Sequence, residues 1–514
     1  MSKKKQKEIL VLALCLLISF ALRFYTFDQK SLWIDEVHTF NESRYELKDQ
    51  FVHYKENPTY LQPPLFYLLT HLFYPFTRPE RDLRIIPLIF GTLSIPMIYF
   101  LAKQFSPSIA LPCTLSLTFM VYHISLSQDG RSYSLLLFLG MTGLYFLMKH
   151  LKTCKKRYLI PVAFSFALSF YTSYTFTPFI ALLQVFWFYQ ADKDTKMRSP
   201  ASFLFLNGLI LLLCFPWILL SALSYKGQSL VNPVLGDGTL GSFFEIIYNV
   251  IRDWAPHIPA TILSIILLIL LPFFSKVKKN ALILLVVLIL PIVGTYIFCE
   301  LFNITHFVTS RYFINLLPLF FIALFLSLDA IEMEFEKLRR IHLKFLFVIL
   351  LVASNLIILP LYYRSEKQDL RGLVTYLKGQ IQDRDKIIVG SRAFIPGILH
   401  YFGAHPTGRH HSFPALKVSE NQIEYRVGLI YQDLKLTVIQ SNSYWFRYFA
   451  DGSRLWIVSD KKNAKYFGEL GCHFKGYFDG SFFSMDRFPT DVSMYLLLWD
   501  PKSPDEKGIE MPIE

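Results

Sequence analysis

Residues 9–38 read ILVLALCLLISFALRFYTFDQKSLWIDEVH, an apolar run followed by a polar stretch with two adjacent acids. The run from Ile9 to Phe27 has the length of a membrane-spanning helix, and four lysines lie just before it in residues 3–7. It has neither the short core nor the cleavage site of a signal peptide. We therefore expect an uncleaved first span with a cytoplasmic N-terminus, which places Ser31–His38 on the outer face.

The composition extends this interpretation to most of the chain. Of the 514 residues, 53% are hydrophobic and 18% are charged, whereas soluble proteins carry about 25% charge. The net charge of +13 comes largely from Lys and Arg in short loops between apolar runs, as the positive-inside rule requires, so no nucleic-acid partner is implied. The six cysteines form no Cys-x-x-Cys motif and suggest no disulfide framework.

The apolar runs predict about 11 transmembrane helices within residues 1–363. After the first span they lie at about 83–102, 107–126, 132–149, two within 158–190, 202–223, 260–274, 281–299, 312–328 and 344–363. The segment 64–76 is too short to cross a bilayer and is expected to be interfacial or re-entrant. With that segment left out, every strongly basic loop falls on the cytoplasmic side.

The character of the sequence changes at about Arg364. A helical pattern around Tyr376 and apolar stretches at Lys386–Gly390 and Ser453–Ser459 predict a soluble α/β domain over residues 364–500, outside the membrane. We expect this domain to shape acceptor access without taking part in the chemistry. Residues 501–514, rich in Pro, Lys and Glu, are expected to be a disordered tail.

The polar loops on the outer face carry the candidate chemistry. Asp35 and Glu36 lie in the first outer loop, residues 28–82, and Arg23, Arg131 and Arg311 lie near the outer ends of spans. Taken singly, the acids could form a solvated loop or a helix cap, and the arginines could extend toward the membrane surface. Together they suit group transfer from a phosphate, because arginine binds phosphate bidentately and a carboxylate accepts a proton.

Five short motifs lie at or next to the predicted spans and follow one another along the chain. They are Trp33-Ile-Asp35-Glu36, Pro63-Pro64-Leu65-x-Tyr67, Leu83-Arg84-Ile-x-x-Pro87-x-x-x-Gly91, Ser127-Gln128-x-x-Arg131-x-Tyr133-Ser134-Leu135 and Ser310-Arg311-Tyr312. On these motifs the chain resembles the GT-C superfamily of polyprenyl-phosphate-dependent glycosyltransferases. It is most similar to the family-39 (protein O-mannosyltransferase-like), aminoarabinose-transferase-like and Rgt-type members.

The resemblance implies roles for particular residues. Asp35 would be the general base, with Glu36 orienting the acceptor or a divalent cation. Arg131 and Arg311, with Tyr133 and Tyr312, would bind the donor phosphate. The residues that bind the acceptor or line the cavity would be Gln62, Tyr67, His306 and Glu300. Gln62 departs from the family, which commonly has His there, so an acid-base or metal role is in doubt at this position.

The function implied is inverting transfer of a sugar from a polyprenyl-phosphate donor to a lipid, glycan or protein acceptor on the outer side of the plasma or inner membrane. Such a reaction would belong to cell-envelope glycosylation. No cofactor is required, although a divalent cation at Asp35 and Glu36 stays an alternative. The other functions left open are a secondary transporter or flippase, a non-enzymatic assembly or sensor protein, and a lipid-linked glycan ligase or polymerase.

Overall fold

The structure is a computed structural model that describes residues 3–46, 48–49, 62–176, 179–180, 200–224, 243–274, 278–301, 309–335, 340–391, 394–403, 415–417, 424–426, 437–440, 452–481 and 492–502. The chain forms two compact units. The first takes in Met1–Asp28 and most of the chain up to Tyr363, and the second combines Gln29–Asn41 with the chain from Arg364 onward. Residues 29–41 were predicted as part of the first outer loop of the transmembrane domain, whereas the structure groups them with the C-terminal residues.

The first unit is helical. Its α-helices are α1 (Lys3–Phe24), α3 (Leu65–His71), α4 (Pro79–Asp82), α5 (Ile85–Phe105), α6 (Ala110–Phe119), α7 (Val121–Ser127), α8 (Tyr133–Thr153), α9 (Leu159–Phe170), α10 (Pro200–Ser224), α11 (Phe243–Trp254), α12 (Ile258–Leu270), α13 (Lys278–Leu301), α14 (Leu317–Glu334) and α15 (Leu343–Arg364), while α2 (Ile34–Ser43) links the two units. Short 3₁₀ helices cover Pro107–Ile109, Lys156–Tyr158, Tyr174–Phe176, Leu271–Phe273 and Ser310–Leu316. From Leu317 to Leu328, α14 is buried at every residue, which is typical of a helix that is apolar on all sides.

Six helices in the described part of the chain are long and apolar enough to cross a membrane. Two further pairs of helices, α6 with α7 and α11 with α12, would raise that number to eight if each bent pair were one span. The structure therefore contains a polytopic helical unit, and the number of 11 spans stays a prediction. The segment expected to be interfacial holds only the seven-residue helix α3.

The predicted span 107–126 is broken at Met120, where the chain is extended and the two helices bend by 61°. A break leaves carbonyl groups without partners at the end of α6. Arg23 donates to the carbonyls of Leu117 and Thr118, each at 3.1 Å, and its Nη2 lies 2.7 Å from Nδ1 of His123. Arg23 is fully buried, so it does not extend toward the membrane surface.

The amide side of the same break is also satisfied. Asn355, which is buried in α15, accepts a hydrogen bond from the backbone N–H of Val121 at 2.8 Å. A side chain from another helix thus takes the place of a local N-cap residue. Buried side chains therefore bind the carbonyl groups before the break and the N–H group after it. These hydrogen bonds stabilise the bend.

The second unit is an α/β fold. Its main sheet has the order β4-β1-β5-β7-β6, in which β4 (Thr437–Gln440), β1 (Lys386–Val389) and β5 (Leu455–Ser459) are parallel. Strand β7 (Met494–Trp499) runs antiparallel to β5 and to β6 (His473–Phe478). The remaining elements are α16 (Leu370–Gln380), α17 (Ile395–Phe402), α18 (Lys461–Glu469) and the two-stranded sheet of β2 (Ala415–Lys417) and β3 (Glu424–Arg426).

Burial explains why strands β1 and β5 could be predicted from the sequence. All five residues of β5 are buried, as are the last three of β1. Strands covered on both faces have continuous apolar sequences, and both predicted stretches have them. The observed strands begin and end within two residues of the predicted ones.

Candidate functional site

The acidic pair lies in the first turn of α2. Carboxylates are favourable there, because the N-terminus of a helix carries a partial positive charge. Glu36 is fully buried and accepts a hydrogen bond from the backbone N–H of Trp33 at 3.4 Å, which is the contact made by the glutamate of a capping box. Asp35 is only partly buried. Of the two acids, Asp35 is therefore the one more accessible to a substrate.

The residues just before this pair are part of a hydrophobic core. Trp33 and Ile34 pack in the same cluster as Leu370 of α16 and Trp456 of β5. The ammonium group of Lys367 lies 5.7 Å from the ring centroid of Trp33. Asp35 therefore extends from a segment that the second unit holds firmly.

Three of the four predicted phosphate-binding residues meet in the first unit. The guanidinium carbon of Arg311 lies 5.9 Å from the ring centroids of both Tyr133 and Tyr312. The side chain of Arg311 is buried, and its Nε donates to Oγ1 of Thr309 at 3.2 Å. Aromatic contacts on a guanidinium restrict the orientation of its plane, and with it the direction of its N–H groups.

Arg131 lies in the turn that precedes Tyr133, and its side chain is half-buried. The turn is held by Gln128, whose amide group donates to the carbonyls of Arg23 at 2.9 Å and Tyr25 at 2.6 Å. The hydroxyl of Tyr362 donates to the amide oxygen of Gln128 at 2.8 Å. Gln128 and Asp129 are buried, so this turn is packed within the first unit.

The sequence did not single out Asp253, a buried carboxylate that contacts Ser310, the residue just before Arg311. Oδ2 of Asp253 accepts a hydrogen bond from the hydroxyl of Ser310 at 2.6 Å, and that hydroxyl lies 2.9 Å from the hydroxyl of Tyr122. All three side chains are buried. The signal was present in α11, because the buried residues Ile246, Val250, Asp253 and Trp254 have the spacing of one helix face.

The residues predicted to line an acceptor cavity have different environments. Gln62 and Glu300 are exposed, and Tyr67 is buried beside Phe66 with ring centroids 6.2 Å apart. His306 lies outside the described residues. The shared role of Gln62, Tyr67 and Glu300 stays a prediction.

A divalent cation needs several oxygen or nitrogen ligands. Within the part of the chain that the structure describes, no group of three His, Cys, Asp or Glu side chains is placed to hold one. Glu36 also uses one carboxylate oxygen on the amide of Trp33. A cation at Asp35 and Glu36 therefore stays a prediction without support from the geometry.

One family model matches the chain. Residues 61–220, less than half of the sequence, match the family described as dolichyl-phosphate-mannose-protein mannosyltransferase. This segment contains Arg131 and Tyr133 and ends before Arg311. No curated protein sequence matches the chain.

Solved structures match over nearly the whole chain. ArnT from Cupriavidus metallidurans in the apo state has a TM-score of 0.55 at 10% sequence identity, covering 97% of this chain and 98% of that one. ArnT from the same organism bound to undecaprenyl phosphate has a TM-score of 0.54 at 12% identity, covering 96% and 98%. The oligosaccharyltransferase of Archaeoglobus fulgidus, in complex with Zn and sulfate, has a TM-score of 0.47 at 13% identity, covering 94% and 72%.

Proposed function

We propose that this chain, which has the GT-C fold of ArnT, is a membrane glycosyltransferase that moves a sugar from a polyprenyl-phosphate donor to an acceptor outside the cytoplasm. The observation that carries the proposal is the contact of Arg311 with Tyr133. These residues come from two motifs that lie far apart in the sequence. The matched family is named for a dolichyl-phosphate sugar, and one matched ArnT structure holds undecaprenyl phosphate.

The proposed donor site consists of Arg131 and Arg311 with Tyr133 and Tyr312. Arginine keeps its charge when buried and offers several N–H donors in one plane, which suits a phosphate with charge on several oxygens. Arg311 is buried and its guanidinium lies over the rings of Tyr133 and Tyr312, so its orientation is restricted before a donor arrives. As the bond to the sugar breaks, the phosphate gains charge, and these guanidinium groups stabilise it.

The proposed general base is Asp35. The acceptor hydroxyl or amine gives its proton to the Asp35 carboxylate while its oxygen or nitrogen forms a bond to the anomeric carbon. The bond from that carbon to the phosphate oxygen breaks, and its electron pair stays on the phosphate. Attack from the side opposite the leaving group inverts the anomeric centre. The products are the glycosylated acceptor and polyprenyl phosphate.

Two rival functions predict other features. A secondary transporter or flippase would place ionisable residues near the middle of broken helices. The broken helix here carries His123, and Arg23 of α1 lies against it. The hydrogen bonds of Arg23 to the carbonyls of Leu117 and Thr118 show that it supports the bend. A lipid-linked glycan ligase or polymerase shares the donor chemistry and differs only in the acceptor.

The test is transfer from a purified polyprenyl-phosphate sugar by the full chain in detergent, with donor binding measured in parallel. Asp35→Asn keeps the shape of the side chain but loses the base, so we expect about 10²–10⁴-fold slower transfer with donor binding nearly unchanged. Glu469→Gln removes an exposed carboxylate in α18 of the same unit and serves as the matched control. Normal transfer by Asp35→Asn would overturn the assignment of the base.

A further inference from the structure

The backbone just before Asp35 is held by side chains from a distant part of the sequence. Four consecutive N–H groups, those of residues 31–34, each donate to a side-chain oxygen. The acceptors are Glu366 for Ser31 at 2.9 Å, Tyr401 for Leu32 at 2.7 Å, Glu36 for Trp33 at 3.4 Å and Gln368 for Ile34 at 3.2 Å. Three of these four acceptors lie after residue 364.

These hydrogen bonds replace an N-cap side chain that the sequence does not provide at the start of α2. The first N–H groups of a helix have no partner within the helix, and Ser, Thr, Asp or Asn normally caps them. Here α2 is preceded by Trp33, whose side chain cannot accept a hydrogen bond. Gln368 and Glu36 supply the missing acceptors, so the start of α2, and with it Asp35, depends on a residue outside the loop.

Gln368 links that helix start to the sheet. Its side chain is fully buried, its Oε1 accepts from Ile34, and its Nε2 donates to the carbonyl of Val492 at 3.4 Å, two residues before β7. Tyr401 of α17 gives a second attachment, because its hydroxyl also lies 3.2 Å from Oγ of Ser31. Ser31 Oγ in turn accepts from the backbone N–H of Arg371 at 3.1 Å.

We infer that Gln368 and Tyr401 are positioning residues for the proposed base, so that the C-terminal α/β fold takes part in catalysis by fixing where Asp35 lies. This inference rests on the proposed function of Asp35. It also replaces the expectation that the domain only shapes acceptor access. A catalytic group displaced by about 1 Å can lose about 10²-fold in rate, so small changes in this attachment are expected to matter.

The experiment compares Tyr401→Phe and Gln368→Met with Tyr376→Phe. Each of the first two keeps the size of the side chain and removes the acceptor for one N–H group. Tyr376 of α16 makes ring contacts with Trp456 and Phe478. Its hydroxyl is not among the acceptors of the N–H groups of residues 31–34 named above, so its variant is the matched control. We expect kcat to fall about 10- to 100-fold in the first two variants, with KM for the lipid donor within about twofold of the wild type.

Hydrogen exchange separates positioning from loss of the fold. Exchange should accelerate at residues 31–37 in Tyr401→Phe and Gln368→Met, while β1 stays protected. If Gln368→Met loses protection at β1, its fold is disturbed and the inference is tested with Tyr401→Phe alone, by its kcat and by its exchange at residues 31–37. Wild-type kcat with faster exchange at residues 31–37 would overturn the inference, whereas normal transfer by Asp35→Asn would overturn the proposed function instead.

Discussion

The guanidinium of Arg311 lies 5.9 Å from the ring of Tyr133, and this contact joins the 3₁₀ segment Ser310–Leu316 to the start of α8. Close packing about two turns further along α8 supports this contact. A Cβ at Gly140 of α8 would lie 2.5 Å from Oδ1 of Asn315, so the two segments approach as closely as they do because residue 140 is glycine. The proposed phosphate site is therefore built on two packed segments.

The contact leads to a prediction for Arg311→Lys. Lysine keeps the positive charge but loses the planar guanidinium that lies over the ring of Tyr133 and can bind two phosphate oxygens at once. We expect about 10-fold or more weaker binding of a polyprenyl-phosphate donor, measured by titration in detergent. Arg157→Lys, at an exposed arginine that also contacts a tyrosine, is the control. Unchanged donor binding by Arg311→Lys would remove Arg311 from the donor site.

Gly91 leads to a second prediction. A Cβ at this position in α5 would lie 2.1 Å from Oγ and 2.6 Å from Cβ of Ser127. Ser127 cannot turn away without cost, because its hydroxyl donates to the carbonyl of His123 at 2.6 Å. Overpacking typically costs about 1–3 kcal/mol, so Gly91→Ala should lower the thermal unfolding temperature. Gly208→Ala, where nothing lies within 4 Å of an added Cβ, should leave it nearly unchanged.

Arg23 leads to a third prediction. Arg23→Met keeps much of the side-chain volume but leaves the buried carbonyls of Leu117 and Thr118 without their donor. An unsatisfied buried polar group costs about 1–3 kcal/mol, so the unfolding temperature should fall. Arg157→Met, at an exposed arginine, should have little effect. Equal stability of the two variants would show that the bend at Met120 does not depend on Arg23.

The fold was predictable where hydrophobic runs were long, because length and apolarity alone identify spans and buried strands. The break at Met120 was not, because it is stabilised by Arg23 and Asn355, which lie far away in the sequence. Asp35 and Glu36 were found as a pair, but only the structure shows that Glu36 caps α2. Asp253 was missed because a single acid in an amphipathic helix resembles a surface residue until its helix face is examined.

Glu366 leads to a pH prediction. Burial raises its pKa, and the nearby Asp369 adds to this, while the hydrogen bond from Ser31 lowers it. The folded state then holds the proton more tightly than the unfolded state, so stability should fall as pH rises from the ordinary glutamate pKa of about 4.3 through the raised value. Glu366→Gln keeps an oxygen for Ser31 and should remove this part of the pH dependence in thermal melts. Identical profiles for the two proteins would contradict the prediction.

The last prediction concerns membrane topology and uses a native cysteine. Of the six cysteines, Cys154 is exposed and the other five are buried. It follows α8 and precedes Lys155-Lys156-Arg157, a basic loop that the positive-inside rule places in the cytoplasm.

A membrane-impermeant maleimide should therefore leave Cys154 unlabelled in intact cells and label it in inverted vesicles. A second cysteine introduced at Glu469, which is exposed in the C-terminal unit, should show the opposite pattern. Cys154→Ser gives the background from the buried cysteines. Labelling of Cys154 in intact cells would reverse the predicted orientation of α8, and with it the side of the membrane on which Asp35 would act.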